Sequence, residues 1–188
     1  MRYEPAFVGQ VDGSACQYTN CWAAEGAMLT DAATGGSRTP TPTMFRRAAR
    51  VPHCEPAGLG DIMRGMVHFG AWSRAKYRND LTRAELRALL VRRTASVVGL
   101  SGDYEDWPEE SVCQANFNDR EDAYHGYVVI CGSGTGERRG KVRVGNPLCQ
   151  GWRWVDVDKV VQAAAIFARE QGARDSIDCI VVIPPQER

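Results

Sequence analysis

A chain of 188 residues, 44% apolar and 24% charged, has the length of one compact domain and the composition of a soluble globular protein, which excludes intrinsic disorder. Lys plus Arg equal Asp plus Glu at 23 each, so no surplus charge points to nucleic acid or an anionic membrane as the main partner. The opening MRYEPAFVGQ has no basic stretch followed by an apolar core, and VVQAAAIFA and CIVVI are too short to cross a bilayer; the expectation is a single domain over residues 1–188 without export signal or membrane span.

After an irregular lead-in, Asn20 to about Asp31 reads as a helix with Asn20 as N-cap. Cys21, Ala24, Met28 and Leu29 recur at three- and four-residue intervals, and T-G-G follows as a stop. Met44 to Ala49 and Gly58 to Phe69 read as two short helices, the second with Leu59, Ile62, Met63 and Met66 on one side. Thr82 and Glu85 have capping-box spacing before Leu86, Leu89 and Leu90, which predicts a helix from Thr82 to about Arg92.

Beyond it the period changes. Ala95 to Leu100, Tyr124 to Cys131, Lys141 to Gly145 and Cys179 to Ile183 are rich in Val, Ile or aromatic residues and bounded by Gly or Pro, as strands are; a helix over about Asp156 to Glu170 interrupts them. Helices first and closely spaced strands later make the α+β pattern with antiparallel pairing. The acidic stretch from Gly102 to Asp122 has little apolar periodicity and reads as a long surface loop.

Seven cysteines are present, an odd number without a C-x-x-C pair, so a reduced chain with a free reactive thiol is the simpler reading. No metal or cofactor is expected: His53 and Cys54 form the one close His/Cys pair, and adjacent side chains cannot supply the spaced ligand pairs of a structural zinc site. Cys21 is the candidate nucleophile. At a helix start it meets unpaired amide N–H groups and the positive end of the macrodipole, which lower a thiol pKa, and the same amides can receive an oxyanion. The competing reading is a small buried core residue.

Three histidines could serve it. His53 sits in the irregular V-P-H-C-E-P and His68 near a helix end, and both read as surface or satisfied core residues. His125 begins the strand run H-G-Y-V-V-I-C, followed by the turn-rich G-S-G-T-G-E-R-R-G and the strand run K-V-R-V-G-N-P. A turn centred near Thr135 and Gly136 would set His125 directly opposite Asn146 on one face. Asn146 would then accept from one imidazole nitrogen and leave the other for the thiol, the orienting task of the third member of a Cys-His-Asn triad.

Cys-Trp at a helix start, a later His opening an apolar strand, and V-x-V-x-N-P ending another together resemble the papain-like cysteine peptidases, closest to the bacteriocin-processing peptidase branch. The pieces span about Gln10 to Pro147. The resemblance implies a papain-like fold, with N-terminal helices packed on a C-terminal antiparallel sheet, and amide hydrolysis through a thioester on Cys21 with His125 and Asn146. It also implies a Gln upstream of the nucleophile as second oxyanion donor, with Gln10 in A-F-V-G-Q-V-D-G favoured over Gln17. More distantly, D-G-S…C…G-A-M-L-x-D-x-x-T-G-G resembles small peptidase-like proteins encoded by bacteriophages. That implies a role in the virion or at the bacterial cell wall, with peptidoglycan peptide as one candidate substrate. A peptide or protein substrate follows from the papain-like resemblance, and a cytoplasmic or virion-associated place is expected because no export signal or membrane span is seen.

Two alternatives stand beside this reading: a catalytically silent papain-like structural or binding module, such as a phage particle component, and an acyl transferase or deamidase using the same three residues. Asp103, Glu105, Asp106, Glu109 and Glu110 would favour cationic peptides if their loop bordered the cleft, although such a run is more often a solvated surface.

Overall fold

The structure is a computed structural model, and it describes residues 4–11, 13–16, 19–52, 54–92, 96–103, 106–108, 124–132, 134–149, 151–173 and 176–185. Gln17, His53, Cys113 and most of the acidic stretch lie outside these residues. In chain order come helices α1 (Cys21–Thr34), α2 (Pro42–Ala49) and α3 (Leu59–His68), strand β1 (Ala75–Leu81) and helix α4 (Arg83–Val91). Strands β2 (Val97–Asp103), β3 (Tyr124–Ile130), β4 (Lys141–Gly145) and β5 (Trp152–Asp156), helix α5 (Val157–Glu170) and strand β6 (Ile177–Val182) follow. The strands form one sheet in the order β1-β6-β2-β3-β4-β5, antiparallel at every pairing. The α+β architecture is therefore the one expected.

Period-two alternation divides the core between the faces of this sheet. On one face Val97, Val128, Ile180 and Val182 pack under α1, α2 and α3. On the other Val98, Leu100, Tyr127, Val129, Val142, Val144 and Val155 pack under α4 and α5. The helices thus cover both faces, and α4 leaves the N-terminal group to join α5. Among the described residues no helix is long and apolar enough to cross a membrane.

Helix α1 is enclosed more deeply than a one-sided helix would be. Every residue of α1 from Trp22 to Ala33 is buried, because Ala23, Ala24, Gly26, Ala27, Ala32 and Ala33 let the sheet, α2 and α3 approach closely. The Phe45 ring lies against Gly26 of α1 and Gly65 of α3, where a Cβ would collide with it, and so keys three helices together. Gly35 ends α1 in the left-handed region, φ 61°, which answers the predicted stop. The Thr82–Glu85 capping box is present as expected.

Three expectations need correction. Asn20 precedes α1 but does not cap it with its side chain: its Oδ1 accepts from Arg46 Nε at 2.8 Å and its Nδ2 donates to Ser14. Strands β1 and β5 escaped the reading because both lie at sheet edges, where A-K-Y-R-N-D-L and W-R-W-V-D stay part-exposed and need no continuous apolar run. The chain is also not fully reduced: Cys16 and Cys54 form a disulfide that joins the lead-in to the segment before α3, and Cys149 is disulfide-bonded as well. Cys21, Cys131 and Cys179 are the cysteines outside disulfides among the described residues.

Candidate active site

Cys21 opens α1, and the backbone N–H groups of Gly126, Trp22 and Cys21 itself favour its thiolate form. Because Asn20 spends its side chain on Arg46 and Ser14, no cap occupies the first-turn amides, and they remain available to the sulfur. Arg46 also donates to the carbonyls of Thr19, Pro52 and Glu55, so a buried cation fixes the turn that delivers Cys21. Gly126 is the residue after His125, so the contact places the thiol against the start of β3.

His125 lies in β3 and is buried. The β3–β4 register pairs Val128 with Gly145, Val129 with Val144 and Ile130 with Arg143, which carries Asn146 to a position across from Tyr127. The connection, with a 3-10 turn at Gly136–Arg138, is thus centred later than expected, and His125 and Asn146 are offset by two residues rather than directly opposed. A two-residue slip preserves the face of every side chain, whereas a one-residue slip would invert it. His125 Nε2 and Asn146 Oδ1 accordingly meet at 2.7 Å.

That bond fixes the imidazole tautomer. The Leu148 amide donates to the same Asn146 Oδ1 at 2.9 Å, so this atom is the carbonyl oxygen and His125 must donate to it from Nε2. Nδ1 is left as the basic nitrogen. Gln10 is buried, and its backbone N–H donates to the Pro147 carbonyl at 2.9 Å, which ties the lead-in to the turn after Asn146. The Tyr127 ring meets His125 edge-on, with centroids 5.0 Å apart, and Trp107 stacks on Tyr127 at 3.6 Å. Gly102, the partner of His125 in β2, leaves room for the Trp107 indole.

Burial dominates the electrostatics. It pushes the Cys21 thiol up to about 11, against the three backbone N–H groups and with help from the nearby Glu25 charge. It pulls His125 down to about 4, against the bond to Asn146. The expected lowering of the thiol by the helix terminus is therefore real in sign but outweighed by desolvation. At neutral pH the pair rests as thiol and neutral imidazole.

Sequence reasoning missed Glu25. It is 1% exposed and neither carboxyl oxygen has a hydrogen-bond partner. The signal was a lone acid inside A-A-E-G-A-M-L. Trp107 was also passed over, because it falls within the stretch read as an acidic surface loop.

No family model matches the sequence, and no curated protein matches it. Among solved structures, a Bacillus anthracis protein described as a C39-like peptidase matches at a TM-score of 0.59 and 13% identity, covering 98% of this chain and 97% of its own. The fold is that of a C39-like peptidase. The peptidase domain of Streptococcus ComA, a bi-functional ABC transporter of a quorum-sensing pathway, matches over 98% of this chain and 99% of its own at 13% identity, and its TM-score of 0.47 is too low to add to the assignment. The shared fold, N-terminal helices packed on an antiparallel sheet, is the one expected.

Proposed function

We propose that the chain is a cysteine peptidase or amidase in which Cys21 is the nucleophile, His125 its base and Asn146 the group that orients the base. The observation that carries this reading is the 2.7 Å bond from His125 Nε2 to Asn146, which leaves Nδ1 basic, together with a cysteine thiol that opens α1 and meets the Gly126 amide. Because both groups rest neutral, the thiol proton passes to Nδ1 as the sulfur attacks a substrate carbonyl. The carbonyl π bond becomes an oxyanion, received by the Cys21 amide and the Gln10 side chain. The amine then leaves with the proton from Nδ1, and water, deprotonated by His125, releases the acid from the thioester.

A catalytically silent module is the second reading, and the raised thiol together with the lowered imidazole favours it, since neither is activated at rest. Incubation with a quenched fluorescent peptide library separates the two. The peptidase reading expects cleavage that Cys21→Ala abolishes, with the trapped thioester visible as an acyl mass on the Cys21 peptide. Cleavage that persists in Cys21→Ala removes Cys21 as the nucleophile, whereas no cleavage and no acyl adduct with any library member supports the silent module. Transfer of the acyl group to an added amine would mark the acyl transferase variant of the same site. A virion-associated role rests on the phage-like sequence pattern alone.

A further inference from the structure

Glu25 lies one helical turn beyond Cys21 on α1, with its carboxyl against β2 and β3. One oxygen faces Gly99 and the other Gly126, at positions where any Cβ would collide with it, so both strands are glycine where the acid enters. The slot is closed to water, and neither oxygen has a hydrogen-bond donor. An acid buried without a partner is costly, and the free energy is minimised by keeping it uncharged. Burial accordingly raises its pKa well above the ordinary carboxyl value.

Among the described residues, the charged and titratable groups on the surrounding elements offer no counter-charge. On α2 the Arg46 guanidinium is engaged by Asn20 and the carbonyls of Thr19, Pro52 and Glu55. On α3 Asp61 and Arg64 pair with each other at the surface. Further along α1, Asp31 accepts from Ala6 and Thr39. On β3 His125 is bonded to Asn146, on β2 no titratable side chain lies between Val97 and Gly102, and on β6 Asp178 is bonded to Tyr77. The thiol of Cys21 is the group that senses the Glu25 charge, and that charge raises it.

We propose that Glu25 is a positioning residue of the Cys21 site: as the neutral acid in its glycine slot it leaves the thiol free to ionise, and as the carboxylate it opposes thiolate formation. The proposal rests on Cys21 being the nucleophile, but its test does not require turnover. Like charges one helical turn apart in a poorly polarisable interior oppose each other by roughly one to two orders of magnitude in an ionisation constant.

The test is the pH profile of Cys21 alkylation by iodoacetamide from pH 5 to pH 9, in the unmodified full chain and in Glu25→Gln. Gln matches the neutral acid in shape and cannot ionise. The two profiles should coincide at pH 5 and diverge above it, Glu25→Gln reacting about tenfold faster or more at pH 9. Profiles that stay parallel throughout would overturn the proposal. Should Glu25→Gln not fold, carboxyl-13C NMR of the unmodified chain should find one glutamate titrating above the others, at the pH where Cys21 labelling flattens; a flattening without that titration, or the titration without a flattening, overturns it equally. A His125→Ala chain keeps the arms separate: loss of its effect on labelling counts against His125 as base, while a surviving Glu25→Gln divergence upholds the role of Glu25.

Discussion

The Nε2 of His125 donates to Asn146 Oδ1 at 2.7 Å, and the Leu148 amide holds that oxygen from the other side at 2.9 Å. The acceptor is thus oriented by backbone before the imidazole meets it. Asn146 also accepts at its own carbonyl from the Cys149 amide at 2.8 Å, so the turn after β4 is closed around the residue by two main-chain donors. An imidazole held this way cannot present Nε2 to a substrate proton, and any base catalysis must run through Nδ1.

Asn146→Ala should therefore impair turnover less than His125→Ala. Without Asn146 the imidazole still reaches the active tautomer part of the time, whereas without His125 general-base assistance worth roughly 10²–10⁴-fold is gone. Steady-state kinetics on any cleaved peptide should find the difference mainly in kcat. Equal loss in the two variants would remove the orienting role.

Stability should depend on pH through His125. Unfolded, the imidazole takes a proton near its ordinary 6.5, while the folded chain refuses it until about 4. Stability present above pH 6.5 is thus lost as the pH falls toward 4, by up to about 3 kcal/mol. Glu25 acts in the opposite sense, since its folded pKa is raised and it favours the folded chain on the acid side. Urea midpoints measured across this range should fall more steeply for the unmodified chain than for His125→Gln; identical slopes would mean that the imidazole is not held neutral.

Cys16→Ser should lower the melting temperature under non-reducing conditions and leave the fold intact. The bond closes a loop with a sequence separation of 38. Chain-entropy reasoning puts its worth at about 4 kcal/mol as an upper figure, less whatever structure the unfolded loop retains. An unchanged melting temperature would show that the lead-in is fixed without it.

Gly26→Ala tests the packing that seats α1. Helix propensity alone favours Ala by about 1 kcal/mol, but the new Cβ would enter the Phe45 ring, and overpacking costs roughly 1–3 kcal/mol. The net expectation is destabilisation, read as a fall in the urea midpoint. A rise would mean that Phe45 has room to move.

What the sequence disclosed follows from where periodicity is strong. Helix α4 could be read because Thr82 and Glu85 form a capping box, and β4 because Lys141 to Gly145 is short, branched and bounded by turns. Strands β1 and β5 could not, since edge strands need no apolar run. The face shared by His125 and Asn146 was legible from alternation, but their register was not, because the length of the turn around Gly136 is a three-dimensional matter. Burial was least legible: a helix start argues for a lowered thiol, and only the enclosure of α1 between sheet and helices shows that desolvation outweighs it. Glu25 was hidden for the same reason, as a single acid in a helix reads as solvent-facing until Gly99 and Gly126 are seen against it.

The central claim is that Cys21 and His125 act as a unit, and the most direct measurement is the rate of Cys21 alkylation with and without the imidazole. Cys131 and Cys179 are internal controls, both buried, with Cys179 pushed up to about 12. With limiting iodoacetamide at neutral pH, peptide mapping should find label on the Cys21 peptide before either control. Being half-buried could by itself give Cys21 that priority, so the deciding comparison is His125→Ala. The account predicts that this substitution slows Cys21 labelling by about tenfold or more while Cys131 and Cys179 keep their rates. An unchanged Cys21 rate in His125→Ala would contradict it.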